Sequence, residues 1–91
     1  MQQVTVTASN EANRLRVSID GVQLMSLPSG ANGQARKQLP ARWHVLSWDA
    51  LGNQDEEYEV TLVTSAGQQC HHKGVVGANG IDHGSCPFIV F

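Results

Sequence analysis

The chain has 91 residues, of which six are Lys or Arg and eight are Asp or Glu, so its formal net charge is -2 with neutral histidines. This length fits one domain, residues 1–91, with a thin core, because a domain of this size buries only about two-thirds of the surface that its unfolded chain exposes. The charges form no basic patch or stripe, which argues against a nucleic-acid partner and against binding to anionic membranes.

The amino terminus, MQQVTVTASN, lacks the charged start and the continuous apolar core of a secretory signal. No stretch of the chain approaches the roughly 20 apolar residues of a membrane helix. We therefore expect a cytoplasmic protein if Met1 is the native initiator, and a secreted or periplasmic one if Met1 was added to a processed chain. The two cysteines do not decide between these compartments, because disulfides are rare in the cytosol and ordinary outside it.

Three short strands are predicted at the start of the chain. Residues 3–8 alternate strictly between polar and apolar, which is the pattern of a half-buried strand. The same alternation covers residues 14–20 and ends at Asp20-Gly21, a turn dipeptide that leads into a short apolar run over residues 22–27. The second and third strands are therefore predicted to form a tight hairpin.

The next segment, residues 28–38, contains two glycines, a proline and no periodic apolar residue. We predict the longest loop of the protein here, and loops on a rigid scaffold are where binding residues tend to lie. Asn32 and Arg36 are the candidate binding residues of this loop. The alternative is that the segment is only a solvated connection.

Both tryptophans and the single tyrosine fall within residues 39–62, where two strand-like runs flank a Gly-Asn turn. This pattern predicts the central hairpin of the domain. Along the first run, alternation places the two indoles on opposite faces. Trp48, between Leu46 and Ala50 on its face, is the predicted core residue, and Trp43 is the predicted exposed one.

Trp43 shares its predicted face with Ser47 and Asp49. An exposed indole is a platform that stacks on sugars or anchors a protein interface. These three residues are therefore the main candidates for a binding face. The alternative is that Trp43 only covers the edge of the core.

The last third of the chain is less regular. We predict a strand over residues 68–76, a second Gly/Asn-rich loop over residues 77–84 and a final apolar strand over residues 87–91. Asn79 and Asp82 are the candidate binding residues of the loop. The final strand is predicted either to be buried on both faces or to form an edge that another chain could cover.

About seven short strands with a turn signal about every 10 residues predict an all-β protein. We expect a small single-domain antiparallel β-sandwich, with a small β-barrel as the alternative. The order of RLRVSIDGVQL, LPARWHVLSW and YEVTLV resembles the layout of small bacterial Ig-like or PEGA-type β-sandwich modules over about residues 14–63. The resemblance departs at Arg42, where such modules commonly place a glycine. It implies an accessory or binding role, with no catalytic residues to carry over.

A Cys/His-rich segment near the carboxyl end holds four candidate metal ligands, Cys70, His72, His83 and Cys86. Thiolate and imidazole are the preferred ligands of zinc, and imidazole also suits copper and nickel. The spacing matches neither a zinc finger nor a zinc ribbon. The competing interpretation is a Cys70–Cys86 disulfide, which would close a loop of about 15 residues and stabilise the domain by roughly 3 kcal/mol. The third interpretation is two reduced cysteines packed as small hydrophobic residues.

The sequence offers little for catalysis. Asp82, His83 and Ser85 are the residue types of a hydrolase triad, but three neighbours in one short loop cannot easily take the positions of nucleophile, base and orienting group. We therefore expect a non-catalytic module without a cofactor that binds a protein or a glycan. The alternatives are a small metal-binding β protein, with zinc as the first choice, and a homo-oligomer that assembles through its last strand.

Overall fold

The protein is a sandwich of two antiparallel four-stranded sheets, seen in a computed structural model that describes residues 1–91. It has eight strands and no helix, so the predicted all-β sandwich is confirmed, with one strand more than expected. The strands are β1 (Gln2–Asn10), β2 (Arg14–Ile19), β3 (Val22–Pro28), β4 (Asn32–Leu39), β5 (Arg42–Leu51), β6 (Glu57–Thr64), β7 (Gly67–Val75) and β8 (Ile81–Val90). No helix is present that could cross a membrane.

The strand order has an internal two-fold relation. The first sheet runs β4-β1-β6-β7 and the second runs β3-β2-β5-β8. In the first half of the chain, β2 and β3 pair in one sheet while β1 and β4 pair in the other. The second half repeats this path, with β6 paired to β7 and β5 paired to β8. The pairs β1–β6 and β2–β5 join the two halves at the centre of each sheet.

The predicted central hairpin over residues 39–62 is wrong. Its two strands, β5 and β6, lie in different sheets, so the segment with Gly52 and Asn53 carries the chain across the sandwich. A turn signal marks where the chain reverses, but the pairing partner of each strand is set by the rest of the fold. The predicted hairpin of β2 and β3 is confirmed, with Asp20 and Gly21 at the turn, both at positive φ.

The predicted long loop over residues 28–38 is also wrong, because most of it is β4, which pairs with β1 from Asn32 to Leu39. This strand lacks a periodic apolar pattern because it is an edge strand. Its inward positions Gly33, Ala35 and Lys37 are only half-buried and do not need large apolar side chains.

The second predicted loop, over residues 77–84, is shorter than expected. It ends as a turn at Gly80, where the Gly80 N–H donates to the Gly77 carbonyl at 3.0 Å. The strand β8 begins at Ile81, so the predicted final strand is the second half of a ten-residue strand. The strand lies at an edge of its sheet, and this agrees with the second of the two predictions made for it.

The core lies between the sheets and contains 19 buried apolar residues. Alternation correctly separated the two indoles, since Trp48 is 7% exposed and Trp43 is 64% exposed. Trp48 and Tyr58 come from opposite sheets and meet in this core, with the indole N–H donating to the Tyr58 hydroxyl at 3.1 Å.

Each of the four edge strands has a feature that discourages pairing with another chain. β3 and β7 are interrupted by register shifts that leave Leu24 and Gln69 as extra, unpaired residues. β4 carries adjacent Arg36 and Lys37, and β8 contains Pro87, which has no N–H to donate. Oligomerisation through β8 stays a prediction, and Pro87 makes this strand a poor template for it.

Candidate functional site

The outward side chains of β2, β5 and β8 form a surface that we call the Trp43 face. It contains Trp43, Ser47 and Asp49, as the sequence predicted, because the alternate residues of β5 point into the core. β5 is a central strand with hydrogen-bonded neighbours on both sides. It pairs with β8 along its whole length and with β2 from Leu46 to Leu51, so its side chains project at regular intervals.

One end of the Trp43 face is apolar. Trp43 lies opposite Ile89 on β8, and Val45 lies opposite Pro87. Trp43 and Val45 are 64% and 44% exposed, respectively. Directly opposite residues on antiparallel strands have adjacent side chains, so these four form one contiguous patch. A contiguous exposed apolar patch on a small domain is typical of a contact surface.

Polar rows follow the apolar end along β5. Ser47 lies opposite Ser18 on β2 and Ser85 on β8, which places three hydroxyl groups in one row. Two residues further along, Asp49 lies between Arg16 and His83. The Arg16 Nε donates to the Asp49 carboxylate at 3.0 Å in a partly exposed ion pair. The face thus changes from apolar to hydroxyl-rich to charged within one strand.

A buried polar network supports the apolar end from inside. The His44 side chain is fully buried, with Nδ1 2.6 Å from the Asp20 carboxylate and Nε2 2.8 Å from the Pro40 carbonyl. Burial raises the pKa of Asp20, but the hydrogen bonds from His44 and from the Val45 N–H, with the charges of His44 and Arg42, lower it overall. The ionised Asp20 and the Pro40 carbonyl only accept hydrogen bonds, so the ring satisfies both contacts when both of its nitrogens carry protons.

The other predicted binding residues lie elsewhere. Asn32 and Arg36 project from β4 on the outer face of the first sheet, on the far side of the sandwich. Asn32 borders a shallow polar depression of ≈ 310 Å³ that also includes Glu59. On the same face, the His71 ring lies 2.6 Å from Glu59, and this hydrogen bond lowers the pKa of the Glu59 carboxyl. The Asn79 Oδ1 accepts from the Ile81 N–H at 3.2 Å and shapes the turn before β8.

The predicted disulfide is confirmed, since the Sγ atoms of Cys70 and Cys86 are 2.11 Å apart. It joins β7 to β8, which are edge strands of different sheets. Both thiols are used, so the four predicted zinc ligands do not form a set, and no group of three or more metal-binding side chains is present. His72 points inward at this edge, while His83 lies on the Trp43 face. Zinc binding stays a prediction for the reduced protein.

Beside the disulfide, four side chains close the gap between the two sheets, and we call them the edge cluster: Trp48, Tyr58, His72 and Asp82. The Tyr58 hydroxyl accepts from the Trp48 indole N–H and donates to the Asp82 carboxylate. The His72 Nε2 lies 3.2 Å from the same hydroxyl, and the His72 ring stacks on Trp48 with centroids 4.8 Å apart. Asp82 was predicted to bind a ligand, but here it faces Tyr58.

Two glycines make room for the edge cluster. Gly84 lies opposite Trp48 and Gly74 lies opposite Tyr58, so each aromatic ring lies across a residue without a side chain. A Cβ atom at Gly84 would come within 2.7 Å of the Trp48 ring. Each ring therefore covers backbone that would otherwise be open to solvent at the edge of the sandwich.

Within the edge cluster, the Tyr58 hydroxyl keeps its proton. Burial, the hydrogen bond to Asp82 and the Asp82 charge raise the pKa of Tyr58 well above its ordinary value. The phenol therefore stays protonated at neutral pH and acts as a hydrogen-bond donor. The cluster fits a structural role at the open edge, since its central hydroxyl does not ionise in the physiological pH range.

Replacing Tyr58 with phenylalanine should lower the free energy of unfolding by about 1–3 kcal/mol, because the Trp48 indole N–H and the Asp82 carboxylate would lose a shared partner. Urea denaturation followed by circular dichroism measures the change. Asp82→Asn is the control, since its carbonyl can still accept from Tyr58, and it should cost less. Equal stability of Tyr58→Phe and wild type would contradict the structural role.

Asn10 lies between the strands predicted over residues 3–8 and 14–20 and is not among the predicted functional residues. The side chain is 2% exposed, and its Nδ2 donates to the carbonyls of Ala12 and Leu27, both at 3.0 Å. Its Oδ1 accepts from the Ala12 N–H, also at 3.0 Å. Asn10 thus ties the turn after β1 to the end of β3. Asparagine often bonds to the backbone two residues ahead, and this is the one local signal that could have found it.

Comparison with known proteins agrees with the fold. No protein-family model and no curated protein matches the chain. Among solved structures, it is similar to a domain of unknown function, DUF4425, from Bacteroides vulgatus ATCC 8482, with a TM-score of 0.51 and 8% sequence identity. The match covers 99% of this chain and 97% of that chain. At this identity the likeness shows that the two share a β-sandwich fold over their full lengths.

Proposed function

We propose that the protein is a non-catalytic binding module and that the Trp43 face contacts its ligand. The observation that carries the proposal is the indole of Trp43, which is 64% exposed near the start of β5, where the backbone is paired with β8. A large, rigid aromatic side chain in such a place offers contact area at low cost in conformational entropy.

We favour a glycan as the ligand. The hydroxyl row of Ser18, Ser47 and Ser85 and the charged row of Arg16 and Asp49 follow the indole on the same face of the sheet. A sugar presents an apolar ring face that can stack on an indole and hydroxyl groups that exchange hydrogen bonds with such side chains. Binding of an extended peptide as an extra strand is less favoured, because all four edge strands have features that discourage pairing with another chain.

A protein partner is the second candidate, and one observation favours it. Trp43, Val45, Pro87 and Ile89 form one exposed apolar patch, and polar residues follow it along β5. An apolar centre inside a polar rim is the usual anatomy of a protein interface. This candidate predicts that Val45→Asp would abolish binding, whereas stacking of a sugar on Trp43 alone would tolerate this substitution.

We also propose that the protein works in an oxidising compartment, either secreted or periplasmic. The support is the Cys70–Cys86 disulfide, because such bonds persist outside the cytosol. Mass spectrometry of protein isolated from its source with thiols blocked at lysis checks this. Free thiols on most molecules would contradict it.

Trp43→Ala is expected to abolish ligand binding with little change in stability. A glycan array probed with wild type and Trp43→Ala tests this, with Val63→Ala as the control, since Val63 is 41% exposed on the outer face of the opposite sheet. We expect binding that is kept by Val63→Ala and reduced at least about tenfold by Trp43→Ala. Unchanged binding by Trp43→Ala would contradict the binding role of Trp43. A loss of more than about 2 kcal/mol in the free energy of unfolding would likewise favour a structural role.

A further inference from the structure

We propose that the ligand of the Trp43 face is a linear acidic glycan, with uronate carboxylates, that lies along β5 from Trp43 towards Arg16 and Arg14. This inference rests on the proposed function and adds the chemical class and the direction of the ligand. It is carried by the order of the side-chain rows and by the sign of the charge at the far end.

The rows of the Trp43 face form a track along β5. Alternate residues on one strand are about 6.6–6.8 Å apart, so Trp43 and Asp49 are separated by about 20 Å along β5. This length suits an extended chain of several sugar residues better than a single sugar. Trp43 would stack on one ring at the apolar end, and the chain would continue along β5 across the serine row at Ser47. The track ends at the row where Leu51 lies opposite Arg14.

The charge at the far end of the track is positive. Arg14 and Arg16 both project outward from β2, and Asp49 is the one carboxylate in these rows. Arg16 contacts Asp49 through Nε, which leaves its terminal nitrogens available. Arg14 takes part in none of the ion pairs of the protein. The guanidinium group binds carboxylates in a two-pronged geometry, so these arginines complement a uronate.

The remaining carboxylates do not cancel this charge. Asp20, at the edge of the same face, is already engaged by His44 and Arg42. In the acidic run Asp55-Glu56-Glu57 after β5, the Asp55 N–H donates to the Val76 carbonyl next to the first sheet. The Glu56 carboxylate lies beside Gly52, near the positive end of the face, and it accepts from the Asn53 N–H. The net charge of the whole chain is -2, so the positive end of the Trp43 face is a local feature against an acidic background.

Titration calorimetry with two matched probes tests the inference. The first probe is an oligosaccharide of polygalacturonate, and the second is the same oligosaccharide with its carboxyl groups reduced to primary alcohols. We expect wild type to bind the first at least about tenfold more tightly than the second, with an affinity that falls as salt rises. Arg14→Ala and Arg16→Ala should each weaken binding of the acidic probe by about fivefold or more, and Trp43→Ala by at least about tenfold.

Arg36→Ala is the matched control, because Arg36 projects from the opposite sheet. It should bind the acidic probe like wild type, and an equal loss would mean unspecific charge attraction and overturn the inference. Equal binding of both probes, lost in Trp43→Ala and kept in Arg14→Ala, would overturn the acidic class and leave the proposed function standing. Failure of wild type to bind the acidic probe would also overturn the inference, while the glycan array decides the proposed function separately.

Discussion

Removal of the Cys70–Cys86 disulfide is expected to lower the free energy of unfolding by about 3 kcal/mol. The bond closes a loop with a sequence separation of 16, and a loop of this length restricts the unfolded chain by about that amount. The effect is large for this protein, because a small domain has only about 5–15 kcal/mol of stability in total. Urea denaturation of the double variant Cys70→Ala/Cys86→Ala measures it.

The disulfide joins two edge strands, so its removal should destabilise these strands more than the central ones. Hydrogen exchange is expected to accelerate in β7 and β8 well before β1 and β2, which pair on both sides. Wild type in a reducing agent is the control and should behave like the double variant. Stability within about 0.5 kcal/mol of wild type would show that the bond constrains little. Recovery of stability on adding zinc to the reduced protein, but not to the double variant, would support the metal prediction for the reduced state.

Gly84→Ala should lower the free energy of unfolding by about 3 kcal/mol. The new methyl group would lie 2.7 Å from the Trp48 ring, which cannot yield easily. Trp48 is fixed by its hydrogen bond to Tyr58 and by the stack with His72. A displaced ring would therefore break the edge cluster as well as the local packing. Thermal and urea unfolding measure the loss, and near-ultraviolet circular dichroism reports the position of the indole.

Ser85→Ala is the control for Gly84→Ala. It changes the next residue on the same strand, but its side chain faces outward and meets no ring. We expect it to stay within about 0.5 kcal/mol of wild type. Similar losses in both variants would mean that β8 tolerates no change at all and that the contact with Trp48 is not the cause.

The sequence contained enough to predict the class of fold and the facing of the side chains. Period-two alternation separated Trp48 from Trp43 and grouped Trp43 with Ser47 and Asp49, because side-chain direction in a strand is a local property. The Asp20-Gly21 turn was found for the same reason, since it depends on two adjacent residues.

What the sequence could not supply was the pairing between distant strands. The turn at Gly52 was correctly placed, yet nothing local tells whether the next strand joins the same sheet or the opposite one. The sequence of β4 predicted a loop, because an edge strand does not need large apolar residues at its inward positions. The contact of Gly84 with Trp48 depends on register, and so does the meeting of Tyr58 with Asp82.

The candidate site shows the same limit. The spacing of Cys70 and Cys86 allowed a disulfide, a metal site or free thiols, because spacing along the chain does not fix a distance in space. Asn32 and Arg36 were grouped with Trp43 as binding residues, but the sandwich places them on the opposite outer face. Arg14 and Arg16 are not among the predicted binding residues, because their position at the end of the Trp43 face depends on the pairing of β2 with β5.

The two-fold path of the chain has a consequence for how the protein reaches its structure. Each half, β1 to β4 or β5 to β8, contributes only a two-stranded ribbon to each sheet, and isolated two-stranded ribbons are marginally stable in water. Neither half is therefore expected to fold by itself, and both sheets are completed only when the two halves pair with each other. The central pairs β1–β6 and β2–β5 must form together, so the protein should fold in one cooperative step that depends on contacts far apart in the chain.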